Sequence, residues 1–138
     1  MKYLADTNIF LEVILEQKNY ASARAFLAET PGESLCVSDY SLHSIGLFLF
    51  KRGKHHEFEQ MLEDLLGRLM VNVLSLQGLE LTQVGKFAGK FNMDFDDAYQ
   101  YAIADKYGLT IVSFDSDFDR TEKGRKLPEN VVLHGKGI

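Results

Sequence analysis

Short apolar runs separated by segments of helical spacing constrain this chain more than any other feature. Residues 2–5, Leu35-Cys36-Val37, Val71 to Leu76 and Thr110 to Ser113 read as buried strands, the last rich in β-branched residues. Val131-Val132-Leu133, after a polar turn containing Pro128, is expected as a fifth strand. Between the strands, apolar side chains recur on a helical repeat. Ile9, Leu11, Val13, Ile14 and Leu15 mark a helix over about 8–16, and Ala21, Ala25, Phe26 and Ala28 mark another over about 18–29, ended by Pro31-Gly32. A strongly apolar helix follows the second strand, capped by Ser38 or Asp39 and ending near Gly53. Further helices are expected over 55–69, over 79–90 and over 95–107, the last closed by Gly108. Strands alternating with helices predict an α/β fold: a three-layer α/β/α arrangement around a mainly parallel sheet, with residues 1–138 forming one domain.

Composition narrows the setting. A chain 46% hydrophobic and 25% charged can bury a core, which argues against disorder. No apolar run approaches the roughly 18–20 residues of a membrane span, and the start shows no cleavable signal pattern. A cytoplasmic protein without a membrane partner is expected. The single cysteine, Cys36, lies in an apolar run and is expected to be a small buried hydrophobe. The net charge of −5 argues at first against a nucleic-acid partner, but the charge is unevenly spread. Residues 92–119 carry seven aspartates against the single Lys106, whereas residues 120–138 carry five basic residues against two glutamates. Carboxylates for a cation beside basic groups for phosphates would suit a metal site acting on a nucleic acid. Charge alone favours the plainer reading of an acidic protein with a solvated tail.

The topology gives the acids more weight. In a parallel α/β sheet, ligand sites lie beyond the carboxyl ends of the strands, where strand order reverses. Asp6 and Asp115 both follow strands and so belong on that edge. Asp97 opens the helix that leads to the fourth strand and belongs there too. Each acid alone is explained by capping: Asp6 before Thr7-Asn8-Ile9, Asp94 with Asp97 three residues later as a capping-box variant, and Asp115 or Asp117 before Arg120. Capping does not explain why three of them share one rim. Carboxylates so placed suit Mg²⁺ or Mn²⁺, which take oxygen ligands.

Other chemistries find less support. His43, His55, His56 and His134 have no zinc-site spacing and no cysteine pair beside them. Gly135 and Gly137 end the chain instead of opening a helix, so there is no phosphate loop. No nucleophile-elbow pattern supports a Ser-His-Asp arrangement.

Two linked motifs resemble those of the PIN domain family, specifically its VapC-like toxin ribonucleases. One is Leu4-Ala5-Asp6-Thr7-Asn8-Ile9-Phe10. The other runs from Asp96-Asp97-Ala98-Tyr99 through Ala104, Tyr107-Gly108 and the fourth strand to Phe114-Asp115-Ser116-Asp117-Phe118. The 18-residue separation of Asp97 from Asp115 also suits that family. The resemblance implies that Asp6, Asp97 and Asp115 are catalytic and hold Mg²⁺ or Mn²⁺, with Asp117 as an outer acid and Thr7 and Asn8 in support. It further implies an RNA substrate, a cognate antitoxin protein and a homodimer. One departure stands out: the family's glutamate in the helix after strand two falls at Ser44 here, with Asp94, Asp96 or Asp117 as the acids that could cover for it. That departure leaves a second reading, a PIN-fold protein with weak or no nuclease activity that acts mainly as an interaction partner. A haloacid-dehalogenase-type phosphatase also has an acid after its first strand, but wants another two residues later, where this chain has Asn8.

Overall fold

The computed structural model describes residues 1–136. Strands β1 (Tyr3–Ala5), β2 (Leu35–Ser38), β3 (Asn72–Leu74) and β4 (Thr110–Val112) form one sheet in the order β3-β2-β1-β4, and every neighbouring pair is parallel. The helices are α1 (Thr7–Ile14), α2 (Tyr20–Glu29), α3 (Asp39–Lys51), α4 (His55–Leu62), α5 (Thr82–Phe91), α6 (Phe95–Tyr107) and α7 (Pro128–Lys136). The expected helix over 55–69 is α4 continued by a π-helical turn, Glu63–Arg68. Gly137 and the side chain of His134 lie outside the described residues.

The strands are apolar throughout because both sheet faces are covered. Leu4, Cys36 and Ile111 point to one side, where Met93, Ala98 and Ile103 meet them from the α5–α6 layer. Ala5, Leu35, Val37 and Val112 point to the other, against Phe10, Phe26, Ile45 and Leu49 of the α1–α3 layer. Burying a side chain such as Phe26 stabilises the fold by about 1.5–3 kcal/mol. The three layers expected from the sequence are therefore present, and Cys36 is buried.

The expected fifth strand is not. Val131-Val132-Leu133 lies in α7, which packs against α2 with Val131 buried. Pro128 opens the helix, where its fixed φ and missing N–H do no harm, and Glu129 sits favourably in the first turn. Those start signals outweigh the β preference of two valines, a preference that depends strongly on context. The edge of β4 instead meets the backbone of Lys126 in a short parallel bridge, with Lys126 N donating to Ile111 O at 2.8 Å.

Two glycines are required by geometry. Gly108 closes α6 with a left-handed φ of +67°. At Gly32, a Cβ would lie 1.6 Å from the carbonyl oxygen of Leu69, so no side chain fits there. Helix α6 runs through the core, and every residue from Asp97 to Ala104 is buried. Its polar members, Asp97 and Gln100, must therefore find partners inside the protein.

Candidate metal centre

Strand order reverses between β1 and β4, and the acids gather beyond the carboxyl ends of these two strands. The backbone ties this edge together, with Asp6 N donating to Val112 O at 2.9 Å. Asp6 is also the N-cap of α1, its Oδ1 accepting from Thr7 N at 2.8 Å. Asp97 lies in the first turn of α6. Asp115 leads a 3-10 turn, Ser116–Arg120, and accepts from Asp117 N at 2.8 Å. The capping roles of Asp6 and Asp115 thus coexist with their position on the rim. Asp94 stands at the N-cap position of α6, but its side chain makes no capping hydrogen bond.

Asp6, Asp96, Asp97 and Asp115 line a single cavity of about 190 Å³. The tightest grouping among the described residues is Asp97, Asp115 and Asp117, each of which brings one carboxylate oxygen within 4.8 Å of those of the other two. Asp6 faces the same cavity outside that trio. Oxygens sharing a six-coordinate cation with bonds of about 2.0–2.1 Å stand roughly 3–4 Å apart, so a small closure of the trio would seat a divalent ion. These three ligands offer only oxygen, which suits a hard cation.

Electrostatics point the same way. Burial, then the negative charges of Asp115, Asp96 and Asp6, push the Asp97 carboxyl up to about 7. Burial raises Asp6 as well. Hydrogen bonds from Ser113, Gln100 and Thr7 oppose that rise, and the charge of Asp115 adds to it. Acids held this way carry repulsion that a bound cation would relieve.

Asp6 is held from several sides. Ser113 Oγ donates to its Oδ2 at 2.6 Å and Gln100 Nε2 to its Oδ1 at 3.0 Å, with a longer contact of 3.4 Å from Asn8 Nδ2. Asn8 also reaches Ser113 Oγ at 3.2 Å and accepts from Phe114 N at 3.3 Å. Gln100 Nε2 donates again to Ser41 Oγ at 2.7 Å, which lies 2.8 Å from Thr7 Oγ1. Of these residues, sequence reasoning missed Ser41, Gln100 and Ser113. The available signal was spacing: Gln100 follows Asp97 by three and so shares its helix face, and Ser113 directly follows β4, two residues before Asp115.

Ser44 lines the cavity with a hydroxyl and no charge. Among the acids named as cover for it, Asp96 lines the cavity and Asp117 belongs to the trio, whereas Asp94 is exposed outside both. Asp39 is engaged elsewhere, accepting from Tyr99 Oη at 2.7 Å. The basic segment also has structural work. Arg120 pairs with Asp117 at 3.2 Å and donates to the carbonyls of Phe91 and Asn92. Arg125, with its side chain 16% exposed, pairs with Asp119 at 3.1 Å and donates to Ser113 O. Both arginines brace the acidic turn instead of forming a solvated tail.

Comparison with curated proteins found no match. Several solved structures share the fold. A chain of a toxin–antitoxin complex from Klebsiella pneumoniae is similar with a TM-score of 0.72 at 17% identity, covering 92% of this chain and 98% of that one. PAE2754 from Pyrobaculum aerophilum gives 0.73 at 18%, covering 100% and 97%. VapC20 from Mycobacterium tuberculosis, described as a sarcin–ricin-loop-cleaving toxin, gives 0.72 at 20%, covering 86% and 93%. The sequence profile of the PIN domain matches residues 3–124, a span that holds the whole sheet and all four acids of the candidate centre. The chain belongs to the PIN domain family.

Proposed function

We propose that the protein is a metal-dependent endoribonuclease of the VapC-like toxin class, acting as one PIN domain over residues 1–138. Asp97, Asp115 and Asp117 are the proposed ligands of Mg²⁺ or Mn²⁺, with Asp6 beside them, and Asp6, Asp97 and Asp115 form the proposed catalytic set. The observation that carries this reading is the convergence of carboxylates, buried at Asp6 and Asp97 and half-buried at Asp115 and Asp117, on the β1–β4 switch point of a PIN fold. A bound cation would supply an activated water and offset charge building on the phosphoryl oxygens. The chain's own residues do the rest. Burial and the neighbouring acids raise the Asp97 carboxyl, so cation binding there would be linked to loss of its proton. Asp6, fixed by Ser113 and Gln100, holds its carboxylate at the cavity wall with little freedom to rotate. Asn8 braces Ser113 and the backbone of Phe114, keeping the β4 end in register with β1.

RNA as substrate is supported by the M. tuberculosis toxin that shares the fold, and an antitoxin partner by the K. pneumoniae complex. An apolar groove of about 670 Å³ between α1, α2 and α4 is the surface we assign to that partner, because an amphipathic helix binds by laying its apolar face in such a groove. Helix α1 forms a wall of both the groove and the acidic cavity, so a partner seated there would lie beside the catalytic set. A homodimer in the cytoplasm completes the proposal. Among the described residues, no helix is long and apolar enough to cross a membrane.

One observation favours the second reading, an interaction module with weak or no cleavage: Ser44 brings no charge to the cavity wall. RNA cleavage by purified protein with Mg²⁺ or Mn²⁺ separates the two. The nuclease reading expects cleavage that Asp97→Asn abolishes while the circular dichroism spectrum stays native. Absence of cleavage by wild type with either metal would favour the interaction module.

A further inference from the structure

Gln100 is 1% exposed and lines the acidic cavity, yet only half of its carboxamide is satisfied. Nε2 uses both its hydrogens, on Asp6 Oδ1 at 3.0 Å and Ser41 Oγ at 2.7 Å. Oε1 is buried and, among the described residues, has no hydrogen-bond partner. Turning the amide over would set Oε1 about 3.0 Å from an Asp6 oxygen, acceptor against acceptor, so Asp6 fixes the orientation. Ser41 cannot satisfy Oε1 either. It accepts from Gln100 and from Ser38 at 3.1 Å, and its one hydrogen is matched by Thr7 Oγ1 at 2.8 Å. A buried amide oxygen left in this state needs a donor or a cation.

The cavity calls for a ligand of that kind. Four aspartates already line it, and a fifth charge would add to their repulsion. Hard divalent cations accept amide carbonyl oxygens along with carboxylates, and they retain waters that can donate hydrogen bonds. Asp97 and Gln100, three residues apart, share one face of α6. We propose that Gln100 Oε1 is a neutral oxygen donor of the metal centre, serving the cation or a water bound to it. The proposal rests on the metal-centre reading above and adds an uncharged member to an otherwise acidic set.

Isothermal titration of the full chain with Mn²⁺ tests it. Gln100→Met, which removes the amide at similar length, is expected to weaken Mn²⁺ binding about tenfold. Gln100→Glu separates the oxygen from the nitrogen. It keeps an acceptor in place of Oε1, removes the donor to Asp6 and sets a like charge beside it. If Oε1 serves the cation, the glutamate variant binds at least as tightly as wild type. An added carboxylate attracts Mn²⁺ by charge alone. Tight binding by the glutamate variant therefore supports the proposal only where a crystal structure of wild type with Mn²⁺ also places Oε1 on the ion or its bound water. Wild type that takes up no Mn²⁺ overturns the metal centre itself. Wild-type binding with Gln100→Met unchanged, or with Gln100→Glu as weak as Gln100→Met, overturns only the role of Gln100. Should either variant fail to fold, a crystal structure of wild type with Mn²⁺ decides. Oε1 on the ion or on its bound water supports the proposal, and Oε1 touching neither refutes it.

Discussion

The two depressions beside α1 differ in what their walls are made of. The larger, about 670 Å³, mixes apolar side chains such as Phe10, Ile14, Leu27 and Met61 with charges of both signs, Arg24 and Arg68 against Glu57 and Asp64. The smaller, about 190 Å³, holds four aspartates, and one of them is pushed up to about 7 by burial and by its neighbours. Size therefore does not identify the reactive site here. The reactive candidate is the place where burial and like charge are tolerated together, at the point where strand order reverses.

The sharpest way to break this contrast is a pair of substitutions. Asp97→Asn is expected to lower metal-dependent RNA cleavage by about 10³-fold or more, whereas Met61→Ala in the groove should change it less than about twofold. Comparable losses in the two variants would show that the cavities are not functionally separate. A core substitution calibrates stability against chemistry. Phe26→Ala should cost about 3–5 kcal/mol in urea unfolding, because Phe26 is wholly buried between α2 and the sheet.

The next effect is a pH dependence with a definite sign. The Asp97 carboxyl sits at about 7 in the folded chain against an ordinary 3.8, so the native state holds a proton that the unfolded state has released. Its contribution is fully present below about pH 4 and is lost as pH rises through about 7 in metal-free protein. Asp6, raised chiefly by burial, acts in the same direction. Thermal unfolding in a chelating buffer should therefore show stability falling from about pH 4 to 7 from these groups, with Asp97→Asn flattening the slope. Mn²⁺ should stabilise most at about pH 8, where the carboxylates are ionised. A metal-induced shift that is larger at pH 5 would contradict this arrangement.

The smallest expected effect concerns the basic segment. Arg120 is braced by Asp117 on the surface, so Arg120→Met should cost no more than about 1 kcal/mol and leave the KM for RNA within about twofold. A large rise in KM that grows with salt would instead make Arg120 a phosphate contact.

How far the sequence revealed this molecule depended on which forces were local. Apolar runs and helical spacing exposed the sheet and the helices because both faces of the sheet are covered. The run at Val131 misled because a helix start at Pro128 and packing on α2 outweighed β preference. The acids were legible from their positions after strands and before a helix. Which oxygens come closest was not, since the approach of Asp117 to Asp97 depends on how the 3-10 turn after Asp115 folds back. Ser41, Gln100 and Ser113 were hidden for a similar reason. Their partners lie 34 to 107 positions away along the chain, and nothing local distinguishes a buried polar residue from an exposed one.

The most direct test is a crystal structure of wild-type protein soaked in millimolar Mn²⁺ at about pH 8, read by anomalous scattering. Density for an ion bounded by Asp97, Asp115 and Asp117, with Asp6 and Gln100 on the adjoining wall, is the expected result. A cavity without density under those conditions, or an ion bound away from these acids, would contradict the metal centre.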